Sequence, residues 1–459
     1  MQAQGPRSTQ GWIRHSITLR ATRRWSELNE AIEAARNAAR HATDFALLGE
    51  FLGRLERYEE ACAAYDRALA IDHDNPRYLF NRAAVRRYVG RIDEAERDYD
   101  RVIATDPADV EAWCNRSELR SQTPDRNHIE ELLKRLHAGF TAPIDEVPIR
   151  YALAKEFEDI GRYAESWGHL AAGAAIRRRH LKYDVRHDVQ TVSWIVQAFP
   201  AAPPATDGCR SSEPIFILGM PRTGSTLLER IMSGNVGIYA AGELIDFAAA
   251  LVDAVHHKLE RPQISRRELV AASATVDFTA LGASYLERTR PRTGHTPHFI
   301  DKMPLNYLYC GIIHAALPNA HILHLARHPM ATCYAVFKTL FNQGYPFSYD
   351  LTEIAEYYIG YHQLMTHWRR VIPDTILEVS YEKLVTAPAT EARRVFAHCG
   401  LEWSDDCLDI GQRGTASTTA SAAQVRRPIY STSVDLWRQY EGPLAPVAER
   451  LRRAGIQLS

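Results

Sequence analysis

The chain has 459 residues, 46% hydrophobic and 24% charged, which fits a globular protein of about three domains and excludes a disordered one. Lys and Arg (55) nearly balance Asp and Glu (56), so no global field draws the chain to nucleic acid or to a membrane surface. The seven cysteines are scattered, odd in number and include no CxxC pair, so neither a disulfide framework nor a zinc site is suggested and a reducing, cytoplasmic compartment is expected.

Residues 1–25 are polar and Arg-rich, without the apolar stretch of a secretory signal. No apolar run approaches the ~20 residues that a membrane span needs. A repeat follows. Glu60-Ala61, Tyr65-Asp66-Arg67, Ala70 and Asp72 return 34 residues later as Glu94-Ala95, Tyr99-Asp100-Arg101, Ala104 and Asp106. Asn81-Arg82 returns as Asn115-Arg116 at the same offset. Pro76 and Pro107 are read as closing units. This period, with small and aromatic residues at fixed places, resembles tetratricopeptide (TPR) repeats, whose helix pairs each bury one face on a neighbour. Helices flank it near 25–45 and 127–137, and a further unit is expected at 151–177. The repeats either support the rest of the chain or bind a protein partner.

The run Ala201-Ala202-Pro203-Pro204-Ala205-Thr206-Asp207-Gly208 reads as a linker. Residues 1–200 are therefore expected as α-helical TPR-like repeats, 201–212 as linker, and 213–459 as a second domain. In that domain short β-rich runs at 214–219, 298–301, 321–326 and 375–380 alternate with helical patterns near 225–234, 329–340, 352–369 and 388–398. The alternation predicts an α/β fold with a parallel sheet covered by helices, its ligand at the C-terminal strand ends.

One such end carries the most informative segment. The apolar run Ile215-Phe216-Ile217-Leu218 meets Gly219-Met220-Pro221-Arg222-Thr223-Gly224-Ser225-Thr226 and then a helical pattern. Strand, Gly-bounded loop and helix make a phosphate cradle of backbone N–H groups. Ser225 stands where a Walker A loop has its lysine, which argues against an ordinary NTPase.

The loop resembles the 5′-phosphosulfate loop of sulfotransferases, in the form PR[ST]G[ST]T. Further segments match in order, and the likeness is nearest to the tyrosylprotein sulfotransferase branch and its TPR-linked bacterial relatives. It covers residues 210–440. By this resemblance the donor is 3′-phosphoadenosine 5′-phosphosulfate (PAPS), with no metal required, and Arg222, Thr223, Gly224, Ser225 and Thr226 hold its 5′ end. Glu243, 21 residues after Arg222, is the catalytic base that deprotonates a hydroxyl acceptor. Lys302, in Asp301-Lys302-Met303-Pro304, stabilises charge on the departing bridging oxygen, and Arg222 faces the sulfate or the acceptor. Arg327 binds the 3′-phosphate. Tyr381 lies beside the nucleotide, and Ser421 and Arg427 belong to a tail that closes over it. Two positions depart from the pattern: Ala335 replaces a phosphate-side serine and Leu436 a lysine, for which Lys338, Arg427 or Arg438 are the compensating candidates.

The acceptor side is apolar, because Glu243 is followed by Leu244-Ile245-Asp246-Phe247-Ala248 and not by the arginines that serve acidic peptides. A helical cap is expected at 248–297. A small molecule, phenol, lipid, glycan or peptide hydroxyl remains open as the acceptor. Two other readings stand beside this one. A P-loop kinase requires an acidic Mg²⁺ ligand, for which Asp301 is the candidate. A TPR scaffold with a degenerate transferase domain draws on Ala335 and Leu436.

Overall fold

A computed structural model describes residues 8–21, 24–203, 208–341, 344–410 and 429–458. Two helix pairs carry the 34-residue period: Ala42–Arg54 with Tyr58–Ile71, and Pro76–Val89 with Ile92–Thr105. Equivalent positions have equivalent surroundings. Ala61 and Ala95 are fully buried, as are Tyr65 and Tyr99. Gly49 leaves room for the Tyr65 ring, which a Cβ would meet at 2.9 Å. The ion pair of Arg82 with Asp66 (2.7 Å) returns as Arg116 with Asp100 (2.8 Å). Pro76 sits in the first turn of its helix behind the Asn75 cap, so it opens a unit and does not close one. Asp109, 34 residues after Asn75, caps Val110–Ser117 in the same way. The further pair is Glu146–Asp159 and Tyr163–Arg179, parted at Gly161 with φ +78°.

The chain divides into two compact units, the second beginning at Arg177. Helix Val185–Ala198, which the sequence reading grouped with the repeats, belongs to the second unit and packs on helix Leu351–Val371. There His367 Nε2 meets the Phe199 carbonyl at 2.8 Å, and the Phe199 ring meets Trp368 edge-on. The far end of the linker is tucked in as well. Gly208 has φ +50°, and a Cβ there would lie 2.5 Å from the Pro318 ring.

Among the described residues the second unit is built on five parallel strands: β1 (Pro214–Leu218), β2 (Ile238–Ala240), β3 (His298–Asp301), β4 (His321–Ala326) and β5 (Ile376–Ser380). Their order across the sheet is β2-β3-β1-β4-β5. Every residue of β1 is buried, as expected of a central strand with helices on both faces. Ile215 and Ile217 join Leu228, Ile231, Val395 and Phe396 in one core. Phe216 points to the other face and packs against Phe247 and Tyr285, with ring centroids 5.9 and 5.6 Å away. Those two rings come from Asp246–Leu259 and Phe278–Thr289, so the helical segment expected as a cap forms one covering layer of the sheet. Among the described residues no single helix is long and apolar enough to cross a membrane.

Candidate active site

All five strands point the same way, and each is followed by a segment carrying candidate site residues. Across the sheet these are Glu243 beyond β2, Lys302 beyond β3, the 219–226 loop beyond β1, Arg327 beyond β4 and Tyr381 beyond β5. The register fixes their level: Phe216 pairs with Asp301, and Leu218 with His324. With strands about 4.8 Å apart, the five segments form one row along the C-terminal edge, where open α/β sheets hold ligands.

The loop is shaped by backbone conformations that most residues avoid. Gly219 has φ +145°, and a Cβ there would strike the Leu325 carbonyl at 2.6 Å. Arg222 adopts φ +67°, at a cost of roughly 1 kcal/mol or more for a non-glycine residue. Gly224, at φ +97°, caps helix Ser225–Met232 and lies under the Tyr381 ring. The Thr223 hydroxyl donates to the Met220 carbonyl at 2.8 Å and is buried, so this side chain fixes the loop from within. Ser225 and Thr226 are in the first turn of the helix. A Cβ on residue 224 would stand 2.4 Å from Tyr381 Cδ2. Gly224→Ala is therefore expected to weaken adenine-nucleotide binding at least tenfold while the repeats stay folded, measured by calorimetry and circular dichroism; unchanged binding would separate the loop from the nucleotide.

Arg327 joins the strand ends on one side. Nη1 donates to the Arg222 carbonyl at 3.0 Å and Nη2 to the Ser433 carbonyl at 2.5 Å. Its guanidinium lies over the Tyr381 ring, 4.5 Å from the centroid, and the Tyr381 hydroxyl meets Ser433 Oγ at 2.7 Å. Arg327 Nε is buried without a hydrogen-bond partner, and burial lowers the guanidinium pKa from its ordinary value. This is a half-buried cation with donor capacity left over, which suits an anion. Ser433 carries no motif in the sequence and was missed there; only its neighbours in space mark it.

On the other side, the Lys302 ammonium reaches Glu243 Oε1 at 2.6 Å. Lys302 is 1% exposed, whereas the Glu243 side chain is 46% exposed. A buried cation thus meets a carboxylate open to solvent. The Lys302 N–H donates to the Gly242 carbonyl (2.9 Å), and the Gly219 N–H donates to the Pro304 carbonyl (3.2 Å), so this segment braces both the Glu243 turn and the loop. Asp301 does not pair with Lys302. It is fully buried, accepts the Tyr285 hydroxyl at 2.9 Å, and burial pushes its carboxyl up to about 7. Protonated Asp301 is thus favoured in the folded state, and stability should fall as pH rises from about 4 to about 7, by about 4 kcal/mol at most. Asp301→Asn is expected to remove this part of the slope in urea unfolding at pH 5 and pH 8; an unchanged slope would contradict it.

The remaining expected residues divide. Ser421 and Arg427 lie outside the described residues. Arg438 is exposed and ion-paired with Asp435 at 2.9 Å, and the Lys338 ammonium lies over the Tyr334 ring. Among the described residues no group of three or more His, Cys, Asp or Glu is placed to hold a metal.

The parallel sheet gathers these side chains along one edge, beyond its strand ends. Comparisons identify the class: residues 214–405 match the sulfotransferase family model, and residues 54–87 match a TPR repeat. The chain thus carries a sulfotransferase-family domain preceded by TPR sequence. Protein-tyrosine sulfotransferase A of Caenorhabditis elegans is 23% identical over 271 residues, covering 54% of this chain and 69% of that protein. An uncharacterized protein of Aquifex aeolicus (strain VF5) is 28% identical over 375 residues, covering 79% of this chain; the match spans only 48% of that protein. Among solved structures, the sulfotransferase domain of the Synechococcus PCC 7002 olefin synthase is 20% identical, with a TM-score of 0.39 and coverage of 56% of this chain and 98% of that one. The sulfotransferase domain from the curacin biosynthetic pathway is 15% identical, with a TM-score of 0.38 and coverage of 55% and 100%.

Proposed function

We propose that the second unit transfers a sulfuryl group from PAPS to a hydroxyl acceptor by direct in-line displacement. The observation that carries this reading is the order of side chains along one sheet edge: carboxylate, buried lysine, Gly-bounded loop, half-buried arginine, tyrosine. The loop and helix N-terminus at 222–226 receive the 5′-phosphosulfate. Arg327 takes the 3′-phosphate, and Tyr381 borders the nucleotide. Glu243 accepts the proton of the acceptor hydroxyl as its oxygen attacks sulfur. The bond from sulfur to the bridging oxygen breaks, and Lys302 stabilises the charge left on that oxygen. Arg222 serves the sulfate side, and Ser421 and Arg427 close the donor site. Positioning and electrostatics supply the acceleration without a covalent enzyme intermediate and without a metal.

The acceptor is a hydroxyl on a largely apolar body. Ile245, two residues past the base, is 71% exposed. Tyr345 feels the Glu243 charge, and its ring packs on Phe341. The free cysteines, five of them buried, support a reducing, cytoplasmic setting. The repeats are proposed to present the acceptor or a protein partner, and residues 213–459 to form the transferase domain.

The kinase reading loses its acidic ligand, because Asp301 is buried against Tyr285. The test is turnover of labelled PAPS with 2-naphthol, dodecanol, a neutral glycan and an acidic tyrosine peptide. Labelled ester on the first two supports the reading. Transfer to the acidic peptide alone contradicts the apolar acceptor, and no transfer to any of them favours the scaffold.

A further inference from the structure

The hydroxyl pair beside Arg327 has a proton to spare. Tyr381 Oη and Ser433 Oγ lie 2.7 Å apart, and either can donate to the other. Each hydroxyl carries a proton, and their mutual bond uses only one of them. Among the described residues no second hydrogen bond engages either hydroxyl. The Arg327 guanidinium lies over the Tyr381 ring and donates to the Arg222 carbonyl through Nη1 and to the Ser433 carbonyl through Nη2. Each of those bonds takes one N–H, so each Nη keeps a second, and Nε has no partner. A spare hydroxyl proton beside spare guanidinium protons is a set of donors that lacks an acceptor.

The neighbouring carboxylates face other partners. Glu382 accepts the His328 N–H at 2.8 Å and the Ser380 hydroxyl at 3.1 Å. Asp435 pairs with Arg438 at 2.9 Å. Ser433 is brought to Arg327 by its own segment. Trp437 stacks on His328 with ring centroids 5.0 Å apart, Tyr440 stacks on Tyr334 at 4.6 Å, and both anchors are buried. His328 follows Arg327 directly, so anchor and contact meet at one strand end. Ser433 itself is half-buried, in a turn where the Val434 N–H donates to the Ser431 carbonyl at 3.0 Å.

We propose that Ser433 is a ligand of the donor's 3′-phosphate: it accepts a hydrogen bond from the Tyr381 hydroxyl and gives one to the anion beside Arg327. A phenol is the better donor and an alcohol the better acceptor, which sets the direction. A hydroxyl that accepts one bond donates the next more strongly. The inference rests on the reading of Arg327 as the 3′-phosphate cation. It supplies, from a distant segment, the hydroxyl that Ala335 lacks; Ala335 is buried in the helix that follows Arg327.

The test is calorimetric titration of the full chain and its Ser433→Ala, Ser433→Thr and Tyr381→Phe variants with 3′-phosphoadenosine 5′-phosphate and with adenosine 5′-phosphosulfate, which lacks the 3′-phosphate. S433A is expected to weaken the first ligand about tenfold and the second about twofold at most. S433T keeps the hydroxyl and is expected to restore most of the loss. Y381F leaves the Ser433 proton in place and is expected to cost about threefold or less. A hydroxyl pair that only braced Arg327 would lose the same bond in S433A and in Y381F, so equal losses in those two variants overturn the proposal. Equal losses of both ligands in S433A, or an S433T no better than S433A, overturn it as well. A parent protein that does not bind 3′-phosphoadenosine 5′-phosphate fails the functional reading and takes the proposal with it. A parent that binds it no better than S433A does overturns the proposal alone.

Discussion

Glu243→Gln is expected to keep the affinity for 3′-phosphoadenosine 5′-phosphate (PAP) and to lose transfer by about 10²–10⁴-fold. The geometry separates the two effects. Glu243 stands beyond β2, at the sheet edge, while the loop, Arg327 and Tyr381 stand beyond β1, β4 and β5. An amide cannot take the acceptor proton, yet it is nearly the same size and can still accept from the Lys302 ammonium, now held at 2.6 Å by the carboxylate. The turn should therefore survive. Single-turnover kinetics with labelled PAPS, beside PAP titration of the same preparation, make the comparison. Transfer at close to the parental rate would remove Glu243 as the base. A matching loss of PAP affinity would make it a donor ligand.

Arg327→Ala is expected to weaken PAP binding by 100-fold or more. Three things go together. The cation proposed for the 3′-phosphate is lost, the Arg222 carbonyl loses its 3.0 Å donor, and the Tyr381 ring loses the group stacked on it. Charge-assisted hydrogen bonds contribute about 1.5–3 kcal/mol each, so two of them reach this range. Adenosine 5′-phosphosulfate lacks the 3′-phosphate but still needs the loop that Arg327 braces. Its binding should weaken too, though at least tenfold less than that of PAP. Equal losses for both ligands would leave Arg327 with a bracing role and no 3′-phosphate.

The strands that carry the candidate site were legible because their ends announce themselves. Ile215 to Leu218 and His321 to Leu325 are apolar runs bounded by a loop or a helix start, and both are strands with their expected residues just beyond. The repeat was legible because burial recurs with the sequence, as at Ala61 and Ala95. β2 was missed: Ile238-Tyr239-Ala240 is three residues long, too short to show alternation, and pairs only with β3. Ser433 lies far from Arg327 and Tyr381 in sequence, and nothing local marks its meeting with them. The sequence reading also grouped Val185–Ala198 with the repeats, since a helix period does not say which core the helix covers.

The most direct measurement is calorimetric titration of the full chain with PAP, set against ATP with Mg²⁺. A sulfotransferase site binds PAP at micromolar concentration or tighter and shows no heat with ATP–Mg²⁺. Binding of ATP–Mg²⁺ in place of PAP would contradict the account and restore the kinase. Binding of neither would mean that the row of residues along the sheet edge no longer holds a donor.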